Sequence, residues 1–91
     1  MTKTSAVADV MTVGEFNRRI NRLFEQDPEM QRVRVQGEIS DFKRYPSGHS
    51  YFTLKDDEAA VSCVLFRGSA GRVAFNPQSG MKVVAVGKPN V

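Results

Sequence analysis

The strongest constraint on this chain is a two-residue alternation that runs twice through residues 50–66, broken once by a cluster of acids. In Ser50–Lys55, Phe52 and Leu54 share one parity, and Tyr51, Thr53 and Lys55 share the other. Alternation of this kind marks a strand with one buried face. Asp56-Asp57-Glu58 interrupts it and reads as a solvated turn. Ala60–Phe66 resumes it, with Val61, Cys63 and Leu65 on one side and Ser62, Val64 and Phe66 on the other. Two such runs joined by a short turn form a hairpin. One face has to enter a core. The other presents Tyr51, Thr53, Lys55, Ser62 and Phe66.

The flanks extend the pattern. Gln31–Ser40 is a further strand, with Val33, Val35 and Ile39 opposed to Arg34, Gln36 and Glu38. Gly37 takes an inward position there, which predicts a bulge or sharp bend. Asp41–Gly48 reads as a loop carrying two cations and two aromatics and ending in turn residues. Upstream, Thr12-Val13-Gly14-Glu15 has the form of a capping box, so a helix is expected over 12–27, ended by Asp27-Pro28. Its apolar stripe, Val13, Phe16, Ile20, Leu23 and Phe24, predicts packing on its own domain, with partner binding as the alternative. Residues 1–11 are small and polar and read as a loose tail. Gly68–Gly80 reads as a short helical connector with Ser69 as a possible N-cap. Met81–Gly87 is a fourth strand, apolar at both parities and so expected to be covered on both sides. The order is mainly β, with an N-terminal helix and a barrel over 31–91. A small, partly open barrel closes such strands, and the connector stands where an OB-fold carries its helix. That Greek-key fold has five strands, and four are visible.

Length and composition limit the function. Ninety-one residues allow one domain with one modest core. The formal charge of +3 is too small to prove a polyanion partner. The single Cys63 fits a reducing compartment, and no apolar run suggests a leader or a membrane span. A cytoplasmic location without membrane attachment is expected. No catalytic residue, metal or cofactor is expected either. His49, the sole histidine, has no partner at ligand spacing. Cys63 has inward parity, and Gly68 and Gly71 lack the Lys-Ser/Thr of a phosphate loop.

GEISDFKR, SGHSYFTLKD and CVLFR, with MTVGEFNRRINRLFEQDP upstream and GMKVVAVGKPNV downstream, resemble the N-terminal segment of the exodeoxyribonuclease VII large subunit family over residues 10–91. The resemblance implies an OB-fold that binds nucleic acid. It also implies a parent nuclease that degrades single-stranded DNA to oligonucleotides together with a small helical subunit. The family's nuclease residues lie outside this chain. The chain is therefore expected to be an excised domain that binds without cleaving and lacks its fifth strand. An open strand edge would then promote self-association.

An OB-fold binds single strands by stacking bases on aromatics while cations follow the phosphates. Tyr51 and Phe66 are the expected stacking residues. Thr53, Ser62 and His49 are expected to hydrogen-bond bases or sugars. Lys43, Arg44, Arg67 and Arg34 are the candidates for phosphate, and Phe42 and Tyr45 overhang the face. The alternatives are that Tyr51 and Phe66 pack under the helix and that Phe42 plugs the barrel end. A second reading is a protein-interaction module that docks a partner subunit.

Overall fold

A computed structural model describes residues 10–91. Its elements are α1 (Val13–Gln26), a 3-10 turn (Pro28–Met30), β1 (Val33–Arg44), β2 (Ser50–Lys55), β3 (Ala60–Leu65), α2 (Arg67–Ala70) and β4 (Lys82–Gly87). The expected tail lies, for residues 1–9, outside the described residues. Among the described residues no helix is long and apolar enough to cross a membrane. The chain forms two compact units. One comprises the described residues through Val33 together with Val86–Val91; the other is Arg34–Ala85.

In the first unit the capping box is closed in both directions. The Glu15 N–H donates to Thr12 Oγ1 at 3.1 Å, and the Thr12 N–H donates to Glu15 Oε1 at 3.1 Å. The Thr12 backbone N–H first, and the Thr12 hydroxyl second, hold the Glu15 carboxyl below its ordinary range. At the other end of the helix the Asp27 side chain accepts from the Glu29 N–H, which starts the 3-10 turn. Val13, Phe16 and Leu23 of the stripe are exposed, and Ile20 and Phe24 are half-buried. Asn21 pairs with the backbone of Val91 in both directions, at 3.0 and 2.9 Å.

The four strands form one open sheet in the order β3-β2-β1-β4. β2 and β3 pair antiparallel without a break, Tyr51 opposite Val64 and Thr53 opposite Ser62. Residues opposed in this way lie on one face of a sheet. β1 runs antiparallel to β2, with Ile39 opposite Leu54 and Ser40 opposite Thr53, but Lys43, not Phe42, stands opposite Tyr51. Three steps along β1 therefore match two along β2, so the bulge lies between Ser40 and Lys43 and not at Gly37 as the sequence predicts.

The bulge has a direct cause. An unbroken register would set Asp41 opposite Phe52, on the core face, and turn Phe42 outward. Burying an unpaired carboxylate is expensive. Instead Asp41 takes the left-handed conformation (φ 55°), which Asp tolerates better than most residues. Phe42 then turns in and stacks on Phe52 at 5.9 Å between ring centroids. Gly37 has a different role. A Cβ there would lie 2.9 Å from both Leu54 Cγ and the Lys55 carbonyl oxygen, so the glycine permits close approach of β1 to β2.

Other boundaries also differ from expectation. Most of the expected loop is strand: β1 continues through Arg44, and only Tyr45–His49 turns the chain. Tyr45 N–H donates to the His49 carbonyl (2.9 Å) and Gly48 N–H to the Tyr45 carbonyl (2.8 Å), with Gly48 at φ 90°. The N-cap of α2 is Phe66, and Ser69 lies within the helix. β4 is not covered on both sides: Val83 and Ala85 are half-buried, Val84 and Val86 exposed.

The buried core of the sheet is Ile39 against Leu54, each 3% exposed, beside a fully buried Ser50. Phe52, Cys63 and Leu65 are half-buried on the same parity. Burial pushes the Cys63 thiol above its usual range, as a small core side chain requires. Val35 and Val61, expected in the core, are exposed, Val61 to 53%.

Candidate nucleic-acid interface

The outward face of the β1–β2–β3 sheet consists of cross-strand rows. Lys43, Tyr51 and Val64 form one row, and Ser40, Thr53 and Ser62 the next. At the Lys43 end the turn folds back on the face. The Tyr45 ring meets Tyr51 edge-on at 5.2 Å and 86°, and each remains nearly half exposed. The His49 ring meets Phe66 edge-on at 5.5 Å and 85°, and Phe66 is 60% exposed. Edge-to-face pairs hold rings in a defined orientation. Four aromatic side chains, counting His49, thus form two edge-on pairs.

Charge is supplied around them. Lys43 is exposed on the Tyr51 row. Arg67 begins α2 immediately after Phe66, and its Cγ and Cδ lie across Gly48, where a Cβ would come within 2.8 and 2.6 Å of them. A side chain on Gly48 would displace Arg67. At the opposite end of the hairpin Asp56 Oδ1 accepts from the Glu58 and Ala59 N–H groups at 2.8 and 2.9 Å. Those two bonds pull its carboxyl below the usual range. The acidic turn lies the length of β2 from the aromatic end.

The remaining predicted residues divide by position. Thr53 and Ser62 lie side by side on the face, Thr53 half-buried and Ser62 exposed. Arg44 stands opposite Ser50, on the parity of the core side, although its side chain is exposed. Phe42 is half-buried against Phe52. Arg34 is exposed at the far end of β1 from the aromatic pairs. Val64 and Ser40 join the face without having been singled out. Val64 was legible from its parity with Ser62 and Phe66.

The sequence profile of the OB-fold nucleic acid binding domain matches residues 11–91. The chain belongs to that family. It is 46% identical over 82 residues to the protein named Exodeoxyribonuclease 7 large subunit of Halalkalibacterium halodurans, covering 90% of this chain and 18% of that protein. The protein of the same name in Exiguobacterium is 46% identical over 82 residues, with the same coverage. That of Staphylococcus aureus is 38% identical over 85 residues, covering 93% of this chain and 19% of that one. The chain spans less than a fifth of the length of these relatives. Within the OB-fold family the chain is a nucleic-acid-binding domain.

Proposed function

We propose that the chain is the single-stranded-DNA-binding module of a larger cytoplasmic exonuclease that degrades single-stranded DNA to oligonucleotides. The observation that carries this reading is the pairing of Tyr45 with Tyr51 and of His49 with Phe66, beside Lys43 and Arg67. Flat exposed rings accept bases of any identity, and the cations follow the backbone. Such a site needs unpaired bases and therefore prefers single strands to duplex.

The test is a titration of single-stranded and duplex DNA at two salt concentrations. Contact with about four phosphates gives a slope of log K against log salt near −3, at about 0.7 per phosphate. Tyr51→Ala should lose roughly 1–3 kcal/mol of binding. Lys43→Ala should mainly flatten the salt slope. Equal affinity for duplex and single strand, unchanged by Tyr51→Ala, would refute the stacking site. Salt-insensitive binding would favour a protein-docking module, because apolar contacts are little screened.

The proposal extends to activity and assembly. The chain binds without cleaving, so labelled single strands should survive it with or without magnesium. The parent enzyme works with a small subunit. Alone, the chain self-associates through its sheet edges. Among the described residues β3 and β4 are both edges, and Val61, Val64 and Val84 on them are exposed. Unpaired edges of this kind are templates for another strand. Light scattering across a concentration series tests this, and a strict monomer at every concentration would refute it.

A further inference from the structure

We propose that His49 is a positioning residue of this interface, holding Phe66 and Arg67 in place from the other side of the hairpin. The inference rests on the nucleic-acid reading above and assigns His49 a role other than base or sugar recognition through Nδ1.

The argument begins with α2. Its N-cap, Phe66, has no side chain able to accept a hydrogen bond. The first N–H groups of any helix lack intrahelical partners. Here the first of them, the Arg67 N–H, donates to His49 Nδ1 at 2.8 Å, across eighteen residues of sequence. An imidazole nitrogen that accepts carries no hydrogen, so this bond takes the His49 tautomer with its proton on Nε2. His49 caps α2 from another element.

His49 is itself held. Its carbonyl accepts from the Tyr45 N–H at 2.9 Å, and its own N–H donates to Ser47 Oγ at 3.3 Å. Its ring packs edge-on against Phe66. The neighbouring Gly48 leaves room for the aliphatic stem of Arg67. One residue therefore fixes the backbone of Arg67, the ring of Phe66 and, through the turn, Tyr45. Without it the exit of β3, tied at Leu65 opposite Ser50, would lose its side-chain link to the turn, and the stacking ring and cation of β3 would be less firmly placed against the tyrosine pair.

The experiment uses His49→Ala, His49→Asn and His49→Ala combined with Phe66→Ala and Arg67→Ala, in the full chain. Asn places Oδ1 close to the position of Nδ1 and can accept the same N–H. His49→Ala should weaken binding of a single-stranded oligonucleotide about tenfold, part of what one stacked base contributes. It should also shrink the salt slope by up to about 0.7, the share of one phosphate contact. His49→Asn should restore both. In the Phe66→Ala/Arg67→Ala background, His49→Ala should cost nothing further, because the groups it positions are gone.

Nitrogen NMR of the free chain should show the Nε2–H tautomer, and the Arg67 amide should exchange faster in His49→Ala. Unchanged affinity in His49→Ala would overturn the proposal. So would an equal loss in the doubly substituted background, which would mean direct contact. An Nδ1–H tautomer would also overturn it. A wild-type chain that binds no single strand would refute the function and the positioning role with it. The tautomer and the Arg67 amide would then show separately whether His49 caps α2.

Discussion

Ser50→Ala should stabilise the protein, against the usual direction for a buried substitution. Ser50 is fully buried in β2, and its hydroxyl has no hydrogen-bond partner among the described residues. An unpaired buried polar group costs about 1–3 kcal/mol. Removing the oxygen leaves a void of roughly 10–15 Å³, which at about 24 cal/mol per Å³ costs only ~0.3 kcal/mol. The net gain is about 0.7–2.7 kcal/mol. At about 4–8 °C per kcal/mol for a domain of this size, Tm should rise by roughly 3–22 °C. Urea unfolding is the better assay, because a higher midpoint at unchanged slope reports stability alone. A lower midpoint would refute the reasoning. It would show that the hydroxyl is satisfied, most simply by a buried water, which proteins hold where polar groups converge.

Gly37→Ala should destabilise by about 1–3 kcal/mol, since its Cβ would press on the Lys55 carbonyl, which has little room to retreat; urea unfolding measures it. Asp56 gives a pH dependence of known sign. Its folded pKa lies below the ordinary 3.8, so its contribution is fully present above that value and is lost as pH falls through the lower folded one. Acid unfolding of Asp56→Asn, which keeps the acceptor and removes the titration, should lack that part of the acid loss.

The alternation in Ser50–Lys55 and Ala60–Phe66 made the hairpin register legible, because a slip of one residue inverts every side chain. The capping box at Thr12 and Glu15 was legible for a similar reason: both partners are local. What stayed hidden depended on other strands. Nothing local to Val61 says that its end of the core face is left uncovered while Cys63 and Leu65 on the same strand are half-buried. The role of Gly37 requires knowing that Leu54 and Lys55 cross it. In the candidate site, the outward parity of Tyr51, Thr53, Ser62 and Phe66 could be read directly. The bond from Arg67 to His49 could not, since it joins the start of α2 to a turn eighteen residues before it.

The bulge shows how one acidic residue arranges this face. With Asp41 at φ 55°, Phe42 goes inward and Lys43 comes out beside Tyr51. Asp41→Gly should keep that arrangement and stabilise by up to about 1 kcal/mol, because glycine enters the left-handed region freely. Asp41→Val should do the reverse. A β-branched residue resists positive φ, and valine, unlike Asp, is welcome on the core face. The strand then gains by returning to regular pairing, with residue 41 opposite Phe52, Phe42 outward and Lys43 turned away from Tyr51. Proton NMR would follow the Phe42–Phe52 contact, and the salt slope of DNA binding would lose the share of Lys43, about 0.7. If Asp41→Val kept both the ring contact and the slope, the cost of burying Asp41 would not be what sets the register, and the bulge would have to be imposed by the Tyr45–His49 turn instead.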